Sequence, residues 1–287
     1  MNKIKEENYH SKPFRKIFKD LHKNGKYCSP RGQKVLEIEN YSYTLPPWVR
    51  FQNFEHRKLS LKYIKTELQW YLKGDKRDLS IIDSAKIWGD IVNDDGTINS
   101  NYGQYIFGKT NQFDNVLNLL KSDRDSRRAS IVLLNKKHLF SETKDVPCTY
   151  SMNFRIRENK LNMSVHMRSQ DAIFGMGNDA PTFSIIHEMM LCALHEYYPS
   201  LEYGDYFHIA DSFHVYERHF DMLQKLTGKR LIERDTKERP LHRHKKSVYV
   251  VENCPKISGP NEVRFLRKLD FSVIPEPFKF TKWLVEK

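Results

Sequence analysis

The stretch YSMNFRIRENKLNMSVHMRS, Tyr150 to Ser169, alternates apolar and polar residues on both sides of a polar Glu-Asn-Lys turn. Met152, Phe154 and Ile156 recur before the turn, and Leu161, Met163, Val165 and Met167 recur after it. A period of two sends these side chains to one face of a sheet, so the segment predicts a hairpin or a pair of adjacent strands. Downstream, TFSIIHEMMLCALHEYY (182–198) is apolar nearly all round, which marks a helix buried against that sheet. YFHIADSFHVYERHF (206–220) reads as a further strand running into a helix. Upstream, RRASIVLLN (127–135) reads as a buried strand. In LSLKYIKTELQWYLKGD (59–75), Leu61, Ile64, Leu68, Tyr71 and Leu72 fall at helical spacing and Gly74 follows as a stop. The order of elements predicts an α/β (α+β) layer structure, a mixed sheet flanked by helices.

With 287 residues and 39% hydrophobic content, the chain can bury a core of its own. The expectation is one catalytic domain over 1–287, with a basic N-terminal segment of about 1–25 and a distinct C-terminal part from about 225 to 287. No stretch approaches the 18 or so uninterrupted apolar residues of a membrane span, and the first residues lack the apolar core of a signal peptide. A cytoplasmic protein is expected, in the host cytoplasm if the source is viral. Cys28, Cys148, Cys192 and Cys254 lie far apart with no metal-ligand spacing, so neither a disulfide framework nor a metal site is expected. The net charge of +12 favours an anionic partner, and cations are dense between Lys225 and Ser247. That run is as readily a solvated face, and no nucleic-acid motif accompanies it.

Cys148 follows Pro147 at the mouth of the hairpin. Alone, such a cysteine is more often a buried inert thiol, by about three to one. Its surroundings change the balance. SDRDSRRAS, VPCTYSMNF, MRSQDAIFGMGND and ADSFHVYERHF occur in this order, and together they resemble the thymidylate synthase superfamily. The matching family motifs are an Arg-Arg pair, a Pro-Cys nucleophile, an RSxD-xxxG-xxxN loop and a GDxHxY strand. TELQWYLKGD and KIWGDIVNDDGTINSNYG extend the resemblance, so it spans roughly Lys62 to Phe220.

The resemblance implies a thymidylate synthase-like fold, a sheet-to-sheet homodimer, a pyrimidine nucleotide substrate and 5,10-methylenetetrahydrofolate as co-substrate, without a metal. Chemically, C5 of a pyrimidine becomes nucleophilic only when a thiolate adds across C6, and Cys148 takes that role. Arg168 and the Arg127 and Arg128 pair supply forked donors for the 5′-phosphate, the pair reaching the other subunit. Ser169 matches the family serine near the phosphate, and His214 and Tyr216 the pair that hydrogen-bonds the sugar hydroxyl. Asp171 and Gly175 match residues lining the folate pocket, Trp88 an aromatic near the pterin, and Tyr102 an active-site tyrosine. Glu67 matches the glutamate that organises water and relays protons.

Three departures narrow the expectation. Asp179 stands where the synthases carry asparagine, eight residues on from Asp171. An amide matches the donor and acceptor of uracil, whereas a carboxylate matches the amino group of cytosine and a protonated N3. Thr149 stands where the synthases usually carry histidine, and Met167 where they carry glutamine. These features resemble the deoxycytidylate hydroxymethylase branch, in which water captures the exocyclic methylene. The expected activity is folate-dependent hydroxymethylation of dCMP at C5. CMP hydroxymethylation, dCMP methylation, thymidylate synthesis and a non-enzymatic nucleic-acid-binding role remain as alternatives.

Overall fold

The computed structural model describes residues 2–47, 49–52, 54, 57, 59–140, 143–231 and 254–286. Its elements run α1 (Asn2–Asn24), β1 (Lys26–Cys28), β2 (Val35–Leu45), α2 (Leu61–Lys73), α3 (Ile87–Asp90), α4 (Gly103–Ile106), α5 (Gln112–Ser122), β3 (Ser130–Val132) and α6 (Lys136–Phe140). They continue with β4 (Thr149–Arg157), β5 (Lys160–Met167), β6 (Gln170–Asp171), α7 (Gly175–Leu194), β7 (Glu202–Tyr216), α8 (Phe220–Thr227), α9 (Pro260–Lys268) and α10 (Lys279–Val285). The seven strands form one mixed sheet in the order β1-β2-β7-β5-β4-β3, and β6 lies parallel to β7 beside this path. The fold is therefore α/β, as the alternation of elements predicts. No helix among the described residues is long and apolar enough to cross a membrane.

The predicted hairpin is β4 and β5. Glu158 and Asn159 both take positive φ, 49° and 55°, the left-handed pair that matches strand twist in a two-residue turn. Met152, Phe154, Ile156, Leu161, Met163, Val165 and Met167 are all buried, so the period of two is realised on one face. The strand expected over 127–135 is shorter, with only Ser130 to Val132 pairing to β4, and Val132 is half exposed. The helix expected from Thr182 starts at Gly175 instead, with Pro181 inside it. Proline removes one ladder donor but leaves the turns before it helical, so it reads from sequence as a start when it is an interior residue.

The chain groups into two compact units. One comprises Met1–Leu59, Met167–Pro181 and His208–Glu252, and the other Ser60–His166, Thr182–Phe207 and Asn253–Lys287. In the first, the basic N-terminal segment is an amphipathic helix: Phe14, Ile17, Phe18 and Leu21, at i, i+3, i+4 and i+7, are buried, and α1 packs on β2 and α8. In the second, α2 starts with the Ser60 hydroxyl accepting from the Tyr63 N–H at 3.1 Å. It ends at Gly74, whose φ of 61° is the left-handed stop expected there. Lys225 to Leu231 are described, but the remainder of the basic run to Ser247 lies outside the described residues.

Candidate active site

In the first unit, the segment after β5 carries Arg168, Ser169, Gln170 and Asp171 alongside β7, with Gln170 opposite Phe213 and Asp171 opposite His214. The Ser212 N–H donates to the Arg168 carbonyl at 3.2 Å, and the Ala172 N–H to the His214 carbonyl at 2.7 Å. This parallel pairing sets Arg168 and Ser169, predicted to bind phosphate, beside the strand that carries His214 and Tyr216, predicted to bind the sugar. Arg168 and Ser169 are both half-buried. His214 is buried with its ring edge-on to Tyr216 at 4.9 Å, and Nδ1 lies 3.3 Å from the Ser212 hydroxyl. Burial lowers the His214 pKa, opposed by the charge of Asp171, so the ring favours the neutral form. The Ser212 hydroxyl in turn donates to Glu37.

Asp171 has a structural task. Its Oδ1 accepts from the Ile173 N–H at 3.0 Å and its Oδ2 from the Phe174 N–H at 3.1 Å, closing the turn that launches α7 at Gly175. Asp171, rather than Asp179, thus holds the entry to the helix. Asp179 lies inside α7, half-buried, and its Oδ2 accepts from the Gln170 amide at 3.1 Å. The Gln170 oxygen accepts from the Tyr43 hydroxyl at 3.1 Å. Arg57 is also buried here, donating to the Ile173 carbonyl at 3.0 Å and packing its guanidinium 4.5 Å from the Phe174 ring centre. Burial brings its pKa down to about 10, with Asp171 opposing the shift. Tyr43 and Arg57 escape a reading by spacing because their partners Gln170 and Ile173 lie 127 and 116 positions away.

In the second unit, Glu67 on α2 is 3% exposed. Its Oε2 accepts from the Thr182 hydroxyl at 2.9 Å and its Oε1 from the Tyr63 hydroxyl at 3.0 Å. The Tyr63 oxygen accepts the Trp88 indole N–H at 3.0 Å, so Trp88 and Glu67 meet through one phenol. Desolvation raises the Glu67 pKa to about 7 despite both hydroxyl donors, which act the other way. A carboxyl of that pKa exchanges its proton near neutrality. Trp88 stands edge-on to Trp70 at 5.2 Å and is half-buried.

Cys148 is half-buried immediately before β4. The Thr149 N–H donates to the Tyr102 hydroxyl oxygen at 3.3 Å, so Tyr102 anchors the backbone next to the thiol. Tyr102 is itself wedged by its neighbours: its ring lies 5.5 Å from Tyr71 and 6.1 Å from Phe183. Gly103 permits this approach, because a Cβ there would fall 1.8 Å from the Tyr71 carbonyl oxygen. Buried Asp145 joins the same loops, accepting from the Ser100 N–H and hydroxyl, each at 2.6 Å. The Thr149 hydroxyl is fully buried without a hydrogen-bond partner among the described residues. Arg127 and Arg128 are exposed, and neither guanidinium has an ion pair among the described residues.

Residues 12–252 match the family model for thymidylate synthase. Among relatives, the deoxycytidylate 5-hydroxymethyltransferase of Enterobacteria phage T6 is 32% identical over 201 residues, covering 66% of this chain and 78% of that protein. The deoxyuridylate hydroxymethyltransferase of Bacillus phage SP01 is 29% identical over 272 residues, covering 85% of this chain and 65% of its own. The thymidylate synthase of Bacillus licheniformis is 30% identical over 192 residues, covering 61% and 66%. With the model spanning most of its length, this chain belongs to the thymidylate synthase family.

Proposed function

We propose that this chain, a one-carbon transferase of that family, hydroxymethylates dCMP at C5 and does so as a homodimer. The observation that carries the base assignment is Asp179, an acceptor-only side chain held by the Gln170 amide where the synthases carry a neutral amide. A carboxylate suits the amino group and protonated N3 of cytosine and repels the O4 of uracil. The similarity to a deoxycytidylate enzyme supports the same reading. The similar deoxyuridylate hydroxymethyltransferase makes uracil the competitor to test.

In this mechanism the thiolate of Cys148 bonds to C6 and drives C5 to take the one-carbon unit that methylenetetrahydrofolate supplies. Loss of the C5 proton, with the bond from the one-carbon unit to the folate nitrogen breaking and tetrahydrofolate departing, leaves an exocyclic methylene; water adds to it, and the thiol leaves C6. The sum is dCMP, methylenetetrahydrofolate and water giving 5-hydroxymethyl-dCMP and tetrahydrofolate. Glu67, poised near neutral pKa, moves protons to and from water and the base. The unsatisfied Thr149 hydroxyl beside Cys148 is a buried polar site suited to holding that water. The folate-side roles fall, by resemblance to the family, to Trp88, whose indole N–H is tied to Tyr63, and to Tyr102, Asp171 and Gly175. Arg168, Ser169, His214 and Tyr216 hold the phosphate and sugar.

Two observations support the dimer. Arg127 and Arg128 are exposed and unpaired among the described residues, as suits donors for a phosphate bound by a partner subunit. Phe207 and Ile209, at alternate positions of β7, are exposed by 36% and 39% while Tyr206, His208 and Ala210 are buried, leaving two apolar side chains outward between Asp205 and Asp211. The test is turnover of dCMP, CMP and dUMP with methylenetetrahydrofolate, with products identified by mass. The expected product is dCMP plus one formaldehyde equivalent. Preference for dUMP overturns the reading of Asp179, a methylated product overturns water capture, and preference for CMP overturns the deoxyribose assignment. Tight polyanion binding without nucleotide turnover points instead to a nucleic-acid-binding protein. Mixing Cys148→Ser with an Arg127→Ala/Arg128→Ala variant should restore activity if the sites are shared.

A further inference from the structure

Gln170 is 2% exposed, between two partners that decide which way its amide points. A carboxylate accepts only, so the amide presents its NH₂ group to Asp179, with Nε2 3.1 Å from Oδ2. Its oxygen is thereby turned to Tyr43, whose hydroxyl donates to it at 3.1 Å. Tyr43 is fixed in that role: burial, reinforced by the charge of Asp179, raises its pKa well above that of an ordinary phenol, so the proton stays on. The ring is also held in place, lying nearly parallel to His208 at 4.8 Å with 6° between planes. The remaining contact of the amide nitrogen is the Met167 sulfur at 3.5 Å, a weak acceptor that agrees with the same orientation. Donors therefore run one way, from Tyr43 through Gln170 to Asp179.

We propose that Tyr43 and Gln170 are specificity-determining positioning residues, a one-way relay that holds Asp179 as an oriented, ionised acceptor and so selects cytosine over uracil. The inference rests on Asp179 reading the base. Its physical content lies in what happens when the relay is cut. Without the Tyr43 hydroxyl the polarity of the amide is set from the Asp179 side alone, and the amide can turn its oxygen toward residue 179 once that carboxyl takes up a proton. That oxygen is compatible only with a protonated carboxyl. A protonated carboxyl has one donor and one acceptor, the pattern of an asparagine amide, and this is the pattern a uracil edge matches. The identity of residue 179 thus defines cytosine reading only while residues 43 and 170 keep its proton off.

The test compares Tyr43→Phe, which keeps the ring stacked on His208, and Gln170→Leu, which keeps the volume, each alone and combined with Asp179→Asn. The readout is the ratio of kcat/KM for dCMP to that for dUMP across pH. Gln170→Leu should lower the ratio at least about tenfold, the effect of losing a hydrogen bond to a charged group, and Tyr43→Phe by about threefold or more, the effect of losing one between neutral groups. In Tyr43→Phe the acid limb of the dCMP profile should move to higher pH. In the Asp179→Asn background the same substitutions should change the ratio by less than about twofold, because the group they position is gone. An unmoved ratio in both single variants, alongside a shifted one in Asp179→Asn, overturns the relay while leaving Asp179 as the base reader. An equal fall in both backgrounds also overturns it, since damage of that kind is structural. A ratio that Asp179→Asn leaves unmoved overturns the base reading itself, and the relay with it.

Discussion

Glu67 and Asp179 are both carboxylates on helices, yet Glu67 is 3% exposed and held by two hydroxyls, whereas Asp179 is half-buried and held by an amide. A hydroxyl can donate to a carboxylate or accept from a carboxyl by rotating, so the partners of Glu67 tolerate either protonation state. An amide fixed by Tyr43 offers only donors, so the partner of Asp179 favours the ionised form. Desolvation outweighs the two hydroxyls and brings Glu67 to about 7. The two acids are thereby set differently, which suits the separate duties proposed for them, one to move protons and one to read a base.

The largest expected effect breaks the proton-moving side. Glu67→Gln should lower kcat by roughly 10²–10⁴-fold, the range for loss of a general acid or base, with KM for the nucleotide nearly unchanged. Steady-state kinetics decide it; a raised KM at constant kcat would make Glu67 a binding group. On the reading side, Asp179→Asn should shift the dCMP:dUMP preference toward uracil by roughly 5–160-fold, equivalent to about 1–3 kcal/mol of base discrimination. Competition between the two nucleotides in one reaction measures that shift directly.

The two acids also differ in how visible their settings are in sequence. The hairpin, α2 and its Gly74 stop follow from periods of two and 3.6 and from one left-handed glycine, all local properties. Pro181 misleads because a proline at a helix start and one inside a helix look alike until Asp171 is seen capping the turn eight residues before Asp179. The family motifs name Cys148, Glu67 and Asp179 but not their keepers. Tyr43 meets Gln170 across 127 positions and Thr182 meets Glu67 across 115, separations that leave no periodic trace. Tyr63 lies only four residues before Glu67, a helical neighbour that could have been paired with it from spacing alone.

A smaller effect appears in stability. With its pKa raised from 4.5 in the unfolded reference to about 7 in the fold, Glu67 is protonated in both states under acid conditions and adds no penalty there. As pH rises the unfolded chain ionises first, so stability declines until the folded group also ionises near pH 7, and the loss persists above that. The full difference is up to roughly 3 kcal/mol. Urea unfolding of wild type and Glu67→Gln should therefore converge at low pH and separate in favour of the variant toward pH 7. A constant gap across pH would show that the Glu67 carboxyl has the same pKa in the folded and unfolded chain.

The finest separation of the two acids comes from their nearest donors. Tyr63→Phe removes an O–H that lowers the Glu67 pKa, so the limb of the kcat profile belonging to Glu67 should move upward from about 7. Thr182→Val should move it the same way, since its hydroxyl acts in the same direction. Neither change touches the donors of Asp179, so neither should alter the dCMP:dUMP ratio. Gln170→Leu should do the converse, moving the ratio while leaving the Glu67 limb in place. Tyr63→Phe also strips the Trp88 indole of its acceptor, which should cost about 1–3 kcal/mol if that N–H stays dry. A limb that stays fixed while stability falls would mean that Tyr63 supports Trp88 alone and that burial by itself sets the acidity of Glu67.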